Sequence, residues 1–385
     1  MRANGYRFKY LVAFFLLLFF SLHGLAQTDR VTEDLHRIME KHDAVGLSVA
    51  VVKNGKLAHL QSLGFKNLEK QDSLETDDLF RIASISKSFS AASIMQLVEA
   101  GKLSLEDDVS NLIGFKVRNP KYPEKIITLK MLLSHTSSIN DKGGYFTLDV
   151  IDPAKNPNWA DSYNDYEPGQ GYQYCNLNYN ITGTIIEKIS GERFDQYIKH
   201  HVLDPLQLYG GYNVDSLNAS LFTTLYSYDP ESKKYEASPM AYASKRDEIN
   251  NYQMGRSAPV FSPTGGMKIS VPDLVKYMMM HMNFGKYPGG RIISKRSAKL
   301  MQTNIAEKEG YGMALTNTDQ LIEGEKLVGH TGSAYGLYSA MFFNPKDKFG
   351  FVVLTNGCNA SYTGEFNDLI KETINSLYNN FISKS

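Results

Sequence analysis

The chain has 385 residues, of which 42% are apolar and 12% aromatic, enough to bury one large core or two modest ones. Its 41 basic and 41 acidic side chains balance, and it has no basic run or stripe of the kind that binds a polyanion. These features predict a globular protein and argue against nucleic acid as a partner.

The first 26 residues have the pattern of an export signal. Three basic residues precede an apolar run over residues 11–20, and the small-residue segment Gly24-Leu25-Ala26 follows it. The run is shorter than the roughly 20 residues that a membrane span requires. We therefore predict a cleaved signal peptide over residues 1–26, a mature chain over 27–385 without a stable membrane span, and a periplasmic or secreted location.

The two cysteines, Cys175 and Cys358, are too few for a disulfide framework. One bridge between them is possible, although two distant thiols are more often separate. The adjacent pair His200-His201 cannot point to one ion from a regular helix, because neighbours in sequence do not share a face. We expect neither a metal site nor a cofactor.

The two ends of the chain share a pattern of hairpins and amphipathic helices. Near the N-terminus, apolar residues from Val31 to Met39 recur at helical spacing, and two β-rich runs follow, joined by Asn54-Gly55, a strong hairpin signal. Near the C-terminus, two β runs flank a polar turn over residues 344–348. A closing helix follows, with Phe366, Leu369, Ile370, Ile374 and Leu377 on one face.

The middle of the chain is mainly helical, with predicted helices over residues 88–100, 129–133, 179–189, 194–202 and 271–281. The sequence thus predicts an α/β (α+β) fold. An antiparallel sheet is built from both termini, about 27–85 and 310–385, and flanked by helices, with a mostly helical insertion over about 86–309.

Two long loops, residues 139–172 and 213–263, separate some of these helices. Loops of this length in a compact domain usually have a purpose, and we interpret them as the wall or lid of a cleft. The aromatic residues between Tyr145 and Tyr172 either line a pocket for an apolar or sugar-like group or only pack within the loop.

One S-x-x-K sequence, Ser84 to Lys87, stands at the start of the first central helix. Residues three apart lie on one helical face, so Ser84 can meet Lys87, whereas the adjacent Ser86 and Ser88 point elsewhere. A lysine activates a serine only when it is neutral, which requires its pKa to fall from about 10.4 to near 7 by burial. The alternative is a helix N-cap serine beside a solvated lysine.

Two further triplets carry suitable groups. Tyr174-Cys175-Asn176 places a phenol and a carboxamide at alternate positions, so that both can face one cavity. His330-Thr331-Gly332 begins a β-rich run, and its glycine would let a substrate lie close to the strand.

Together, S-x-x-K, Y-x-N and H-x-G in this order resemble the serine β-lactamase and penicillin-binding protein (DD-peptidase) superfamily, in the class C-like branch with a Y-x-N motif. The connecting sequences FRIASISKSF, LLSHTSSI and PTGGM agree with it. The resemblance covers essentially the whole mature chain and implies a β-lactamase/transpeptidase-like fold.

The resemblance also implies roles for individual residues. Ser84 would attack a carbonyl and form an acyl-enzyme, while Lys87 and Tyr174 would share the base and proton-relay functions. Asn176 would hold the substrate amide or the lysine, and the backbone N–H groups of Ser84 and Ser333 would form the oxyanion hole. His330, Thr331 and Gly332 would complete the substrate site.

The chain departs from the best-known members at His330, where many have lysine. A histidine is mostly neutral at pH 7, so it lacks the fixed charge that engages a substrate carboxylate. The expected activity is hydrolysis of an ester or a D-amino-acid amide or peptide, and the substrate is a small molecule or peptide. The alternatives are acyl transfer to an alcohol or amine, and a penicillin-binding sensor without turnover. We interpret His135 as a structural hydrogen-bonding residue.

Overall fold

The computed structural model describes residues 29–383, so the predicted signal peptide lies outside the described residues. The strands within this range are β1 Gly46–Lys53, β2 Lys56–Asn67, β3 Asp72–Ser73, β4 Phe80–Arg81, β5 Gly210–Gly211, β6 Tyr226–Asp229, β7 Lys234–Ala237, β8 Lys268–Ile269, β9 Lys286–Tyr287, β10 Gly290–Arg291, β11 Thr316–Thr318, β12 Leu327–Ala334, β13 Leu337–Asn344, β14 Phe349–Thr355, β15 Tyr362–Thr363 and β16 Phe366–Asn367.

The α-helices of the same range are α1 over 29–41, α2 Ser86–Glu99, α3 Val109–Ile113, α4 Leu129–Leu133, α5 Asn176–Ser190, α6 Phe194–Ile198, α7 Arg246–Asn250, α8 Val271–Met282, α9 Lys295–Met301 and α10 Asp368–Phe381. A 3₁₀ turn, Ala83–Ile85, leads into α2. The helix predicted over 194–202 is divided into α6 and a π-helical turn, Lys199–Leu203.

The central sheet has seven strands in the order β11-β12-β13-β14-β1-β2-β3. Its N-terminal strands join its C-terminal strands through the antiparallel pair β1 and β14, where Leu47 is opposite Thr355 and Val52 is opposite Gly350. The fold class predicted from the sequence is therefore confirmed: both ends of the chain build one antiparallel sheet.

Both predicted hairpins are present. β1 and β2 are joined by Asn54 and Gly55, whose φ angles of 53° and 70° are the positive values that a type I′ turn requires. β13 and β14 pair antiparallel up to Asn344 and Phe349, and Lys348 in the intervening turn also has a positive φ. The residue types at these turns thus set the register of the sheet.

The two faces of the central sheet are covered by different layers, because side chains alternate along each strand. Val49 and Val51 point to one face, which is covered by α1 and α10. Ala50 and Val52 point to the opposite face, which belongs to the core shared with the central helices. The sheet is consequently buried on both sides.

Helix α2 occupies the middle of this second core, and every one of its first ten residues is buried. A helix that is buried all round needs no polar face. Its serines satisfy their hydroxyls internally: Ser88 donates to the carbonyl of Ile85 and Ser90 to that of Pro263. Helix α2 therefore gives the residues at its N-terminus a rigid base.

The middle segment is not only a helical layer of its own. Helix α8, within the predicted insertion over 86–309, packs on the central sheet, where the methyl of Met278 lies close to Gly350. The boundaries given above for the α/β part and the helical part remain a prediction.

The cysteines and the histidine pair have separate structural explanations. Cys175 and Cys358 are unbridged, and each is buried in a different core cluster. His200 and His201 both contact Glu192, and they lie in a π-helical turn and not in the regular helix that the sequence predicted. Within residues 29–383 there is no group of three or more side chains able to hold a metal ion, and no helix long and apolar enough to span a membrane.

Candidate active site

Ser84 lies between a strand and a buried helix. Strand β4 pairs with β8 and ends at Arg81, and the chain then turns through Ala83, whose φ of 48° is unusual for a residue with a side chain. Residues held in such conformations need support from their surroundings and cluster at functional sites. The turn brings Ser84 to the surface of a cleft at the N-terminus of α2.

Gly332 in β12 supports this turn. A Cβ at Gly332 would lie 2.4 Å from the carbonyl oxygen of Ile82 and 2.4 Å from Oγ of Ser339. Only glycine therefore allows the strand to approach the segment that carries Ser84. The sequence predicted a close approach to the strand at this glycine, and in the structure the segment that carries Ser84 makes such an approach.

The side chains of Ser84 and Lys87 meet along the first turn. Lys87 Nζ lies 3.1 Å from Ser84 Oγ, and the lysine is fully inaccessible to solvent. Nζ also donates to Asn176 Oδ1 at 2.9 Å and to the carbonyl oxygen of Thr264 at 3.0 Å. The solvated lysine of the alternative interpretation is therefore ruled out.

Burial controls the charge of this lysine. Loss of hydration lowers the pKa of Lys87 to about 7, although the negative charge of Asp141 acts in the opposite direction. A substantial fraction of Lys87 is then neutral near pH 7, and a neutral amine accepts a hydrogen bond from the serine hydroxyl. The pair has the arrangement and the protonation state that activation of Ser84 requires.

Tyr174 lies on the other side of Lys87, whose Nζ is 4.7 Å from the centre of the tyrosine ring. The tyrosine hydroxyl is buried and lies next to the Ser84 hydroxyl. Burial raises the pKa of Tyr174, and the nearby Ser84 hydroxyl offsets only part of this increase. The residue therefore stays a neutral phenol that can donate a proton, not a phenolate base.

Asn176 is the first residue of α5, and its amide is held in one orientation. Its Nδ2 donates to Asp141 Oδ2 at 3.0 Å, while its Oδ1 accepts from Lys87 and from Thr264 Oγ1 at 2.8 Å. Asp141 also accepts from the backbone N–H groups of Asn176 and Leu177. This carboxylate caps α5 from the long loop, as an anion at a helix N-terminus does.

His330 lies behind the cleft, at 5% exposure. Tyr311 donates its hydroxyl to His330 Nε2 at 3.1 Å, and the other ring nitrogen donates to the backbone carbonyl of Thr331. Burial and the nearby Lys87 lower the pKa of His330 to about 4. The ring is neutral, as the sequence indicated, and its position against Tyr311 and Tyr174 differs from that of a residue exposed to substrate.

Ser333 lines the cleft opposite Ser84. β11 pairs with β12 only from Leu327 to Gly329, so beyond Gly329 the outer edge of β12 has no partner from β11. The backbone N–H of Ser84 likewise has no partner within its turn, because the first N–H groups of a helix have no acceptor inside it. Both backbone groups proposed for an oxyanion hole therefore belong to segments that border the cleft.

The cleft has a volume of about 500 Å³. Four of the residues predicted for the site line it: Ser84, Tyr174, Asn176 and Ser333. Its remaining lining consists of Arg81, Ala83, Tyr145, Phe146, Ser262, Thr264, Gly265, Ala334 and Tyr335. Cleft volumes of this size accommodate small molecules or short peptides.

Both long loops contribute to the cleft, although not along their whole length. Tyr145 and Phe146 form an aromatic wall, their rings 4.4 Å apart, and Phe146 is 66% exposed. Trp159 and Tyr163 pack against each other away from the cleft lining. Tyr145 and Phe146 therefore line a pocket, whereas Trp159 and Tyr163 only pack within the loop.

His135 is a hydrogen-bonding residue within the core. Its Nδ1 accepts from the backbone N–H of Cys175 at 3.2 Å, and its ring packs on Tyr174 with the centroids 4.3 Å apart. Burial lowers its pKa well below the usual range. A neutral ring at this position supports the segment that carries Tyr174 and Asn176.

The structure thus brings Ser84, Tyr174, Asn176 and Ser333 to the lining of one cleft. Lys87 is fully buried behind them, in contact with Ser84 and Asn176. His330, Thr331 and Gly332 also lie outside the lining. Asp141, Thr264 and Tyr311 also contact the predicted site residues and were not predicted from the sequence. The sequence PTGGM was a signal for Thr264. Asp141 and Tyr311 had none, because only the folded chain brings them to the site.

Comparison with known proteins agrees with this geometry. The proteins named flp of Staphylococcus aureus are similar to the chain: that of strain MW2 is 28% identical over 354 residues, covering 86% of this chain. The chain spans 62% of that relative's length. Penicillin-binding protein 4 of Amycolatopsis lactamdurans is 29% identical over 374 residues, covering 90% of this chain and 89% of the relative.

Two solved structures have a similar fold. The octameric penicillin-binding protein homologue of Pyrococcus abyssi superimposes with a TM-score of 0.72 at 26% identity, covering 91% of this chain and 76% of the other. EstCE1, described as a hydrolase with promiscuous acyltransferase activity, superimposes with a TM-score of 0.73 at 19% identity, covering 93% of this chain and all of the other.

The family model named Beta-lactamase matches residues 31–371, most of the chain. The matched segment includes all the residues that meet at the cleft. The chain therefore belongs to the beta-lactamase family, within the superfamily of serine β-lactamases and penicillin-binding proteins.

Proposed function

We propose that the chain is an exported serine hydrolase that forms an acyl-enzyme on Ser84 and hydrolyses a carboxylic ester or a D-amino-acid amide or peptide. The observation that carries this proposal is the buried Lys87 amine, 3.1 Å from Ser84 Oγ, with its pKa lowered to about 7. Burial of a lysine charge is costly. Within residues 29–383 the other buried lysine, Lys268, donates to the backbone carbonyl of Tyr212, whereas Lys87 meets the hydroxyl of a serine that lines the cleft.

The first step transfers the hydroxyl proton of Ser84 to the neutral amine of Lys87 while Oγ attacks the substrate carbonyl carbon. The ammonium that forms is then stabilised by Asn176 Oδ1 and the Thr264 carbonyl, both already within hydrogen-bonding distance. Since Asn176 is fixed by Asp141, this acceptor needs no rearrangement when the charge develops.

The carbonyl oxygen becomes an oxyanion, which the backbone N–H groups of Ser84 and Ser333 would stabilise. Tyr174 would pass the proton to the leaving alcohol or amine, because its raised pKa keeps it protonated next to the reacting atoms. A water molecule would then attack the ester of Ser84 by the reverse sequence and release the acid.

Acyl transfer to an alcohol or amine is the second candidate. The aromatic wall of Tyr145 and Phe146 favours it, because an apolar acceptor that packs there would compete with water for the acyl-enzyme. EstCE1, which has a similar fold at 19% identity, is described as a hydrolase with promiscuous acyltransferase activity, and this description also supports the second candidate.

Turnover of a substrate panel tests these proposals. The mature chain, residues 27–385, is incubated with short-chain 4-nitrophenyl esters, D-Ala-D-Ala peptides, D-amino-acid amides and a cephalosporin. We expect multiple turnovers with at least one class and none after Ser84→Ala. A single burst without steady state would indicate a sensor, and equal rates in the Ser84→Ala variant would refute the proposal. Acyl transfer is measured by adding an alcohol or amine and quantifying the new ester or amide that forms in place of the free acid.

A further inference from the structure

Arg81 has an unusual environment for an arginine. It ends β4 three residues before Ser84, and its guanidinium and Ser84 border the same cleft. Among the residues that line this cleft, all within the described range, Arg81 is the only one with a permanent charge. Arg81 is therefore the cation of the cleft lining that a charged substrate would meet directly.

No carboxylate neutralises Arg81 within residues 29–383. Its Nε donates to the carbonyl oxygen of Gly265 at 3.0 Å, Nη1 to that of Ala241 at 3.3 Å and Nη2 to Ser262 Oγ at 3.4 Å. The guanidinium carbon lies 4.9 Å from the ring of Tyr335. The groups that contact the cation are thus two carbonyls, a hydroxyl and an aromatic ring. Its partner across β4 and β8 is Lys268, and burial and the charge of Arg81 lower the pKa of Lys268 well below its usual value.

A cation in such surroundings lacks the counter-charge that partly buried charges usually have. Burial lowers the pKa of Arg81, but arginine remains protonated in proteins. A ligand that supplies a negative charge would compensate for the lost hydration.

Arg81 also has N–H donors that remain available to a ligand. A guanidinium has five N–H groups, and three of them are used by Gly265, Ala241 and Ser262. One N–H remains on each terminal nitrogen. Two donors on neighbouring nitrogens match the two oxygens of a carboxylate.

We propose that Arg81 is a specificity-determining residue that binds a carboxylate of the substrate and so directs the cleft to acyl donors that carry an anionic group. The inference rests on the proposed function, because it assigns the charge of the substrate of that same cleft. His330 does not supply this positive charge, since it is neutral and buried behind Tyr174.

Two matched pairs of substrates test the proposal. The first is N-acetyl-D-Ala-D-Ala and its C-terminal amide. The second is the 4-nitrophenyl monoester of glutaric acid and the same compound with its free carboxyl methylated. We expect the wild type to prefer the acid of at least one pair, and Arg81→Gln to reduce the acid-to-neutral ratio of kcat/KM by about tenfold to a hundredfold.

Arg81→Lys keeps the positive charge but loses the paired N–H donors of the guanidinium. This variant should therefore retain part of the acid-to-neutral ratio of kcat/KM. Arg296→Gln, which removes an exposed arginine of α9, is the matched control and should leave the ratio as in the wild type. If Arg81→Gln lowers kcat/KM equally for the acid and the neutral substrates, then Arg81 only holds the segment of Ser262 and Gly265 in place. That result would overturn the proposal.

A binding measurement separates this inference from the proposed function. Calorimetric titration of the Ser84→Ala protein with N-acetyl-D-Ala-D-Ala and its amide requires no catalysis. We expect the acid to bind about tenfold more tightly or better, with the difference lost in Ser84→Ala/Arg81→Gln. Equal affinities, no binding of the acid, or a difference that survives in the double variant would overturn the role of Arg81. Absence of turnover alone would overturn only the hydrolase proposal.

Discussion

Asp141 fixes the orientation of Asn176. Its Oδ2 accepts from Nδ2 of the amide at 3.0 Å, which leaves Oδ1 of Asn176 to face Lys87 at 2.9 Å. An amide has one acceptor and one donor end, so the carboxylate decides which end meets the lysine. Asp141 is a positioning residue that acts on Lys87 both through Asn176 and through its charge.

Replacement of Asp141 by Asn tests both effects. The change removes the charge that raises the pKa of Lys87, so the acidic limb of the kcat/KM profile should move to lower pH. It also frees the Asn176 amide to rotate, and we expect kcat to fall about tenfold or more. Glu167→Gln, an exchange of a carboxylate outside the cleft lining, is the control. A limb that stays in place or moves to higher pH would contradict this role.

The pH dependence of acylation follows from Lys87. Because only the neutral amine accepts the serine proton, acylation of Ser84 should increase as pH rises through about 7, the pKa of Lys87, and then level off. His330, with its pKa near 4, should add no step between pH 5 and pH 9. The rate of labelling by a fluorophosphonate at a series of pH values measures this profile. A midpoint near 10 would mean that the lysine is solvated in the working enzyme.

Gly332 should tolerate no side chain. In Gly332→Ala the new methyl group would lie 2.4 Å from the carbonyl oxygen of Ile82 and would push the segment that carries Ser84. We expect kcat/KM to fall about a hundredfold while the protein remains folded. Gly211→Ala is a matched control in a strand, because the nearest heavy atom would be 4.0 Å away. Steady-state kinetics with circular dichroism checks both variants, and normal activity of Gly332→Ala would refute the packing argument.

Much of this arrangement could be predicted from the sequence, because it depends on local patterns. The hairpin at Asn54-Gly55 and the spacing of Ser84 and Lys87 express turn and helix geometry that neighbouring residues determine. The position of Asp141 could not be predicted, because a loop that is distant in sequence delivers it to the start of α5. The H-x-G motif predicts its histidine in the substrate site, whereas in the structure Tyr311 holds this histidine in the core. No local pattern in the sequence predicts that contact.

Buried neutral histidines should make the fold sensitive to acid. The pKa of His281 is lowered to about 3 and that of His330 to about 4, both by burial. The unfolded chain binds these protons near pH 6.5, so their contribution to the free energy of unfolding is complete above that pH and is lost as the pH falls toward 4. Denaturant unfolding at pH 7, 6 and 5 measures how steeply the free energy of unfolding falls with decreasing pH.

His281 isolates this effect from the cleft. Neither of its ring nitrogens has a hydrogen-bond partner within the described residues, and the side chain is fully buried in α8. His281→Leu should therefore increase the free energy of unfolding at pH 5 by about 1–2 kcal/mol and reduce its dependence on pH. Unfolding curves of the variant and the wild type at pH 5 and pH 7 test this. An unchanged dependence on pH would contradict the assignment of His281 as a buried neutral group.

The most direct measurement of the central claim is to locate the acyl-enzyme by mass spectrometry. The protein is treated with a fluorophosphonate or a fluorescent penicillin, digested and sequenced, together with Ser84→Ala, Lys87→Met and the exposed-site control Ser361→Ala. We predict one adduct, on Ser84, in the wild type and in Ser361→Ala, slow labelling in Lys87→Met and none in Ser84→Ala. An adduct on another residue, or a Lys87→Met variant that reacts as fast as the wild type, would contradict activation of Ser84 by Lys87.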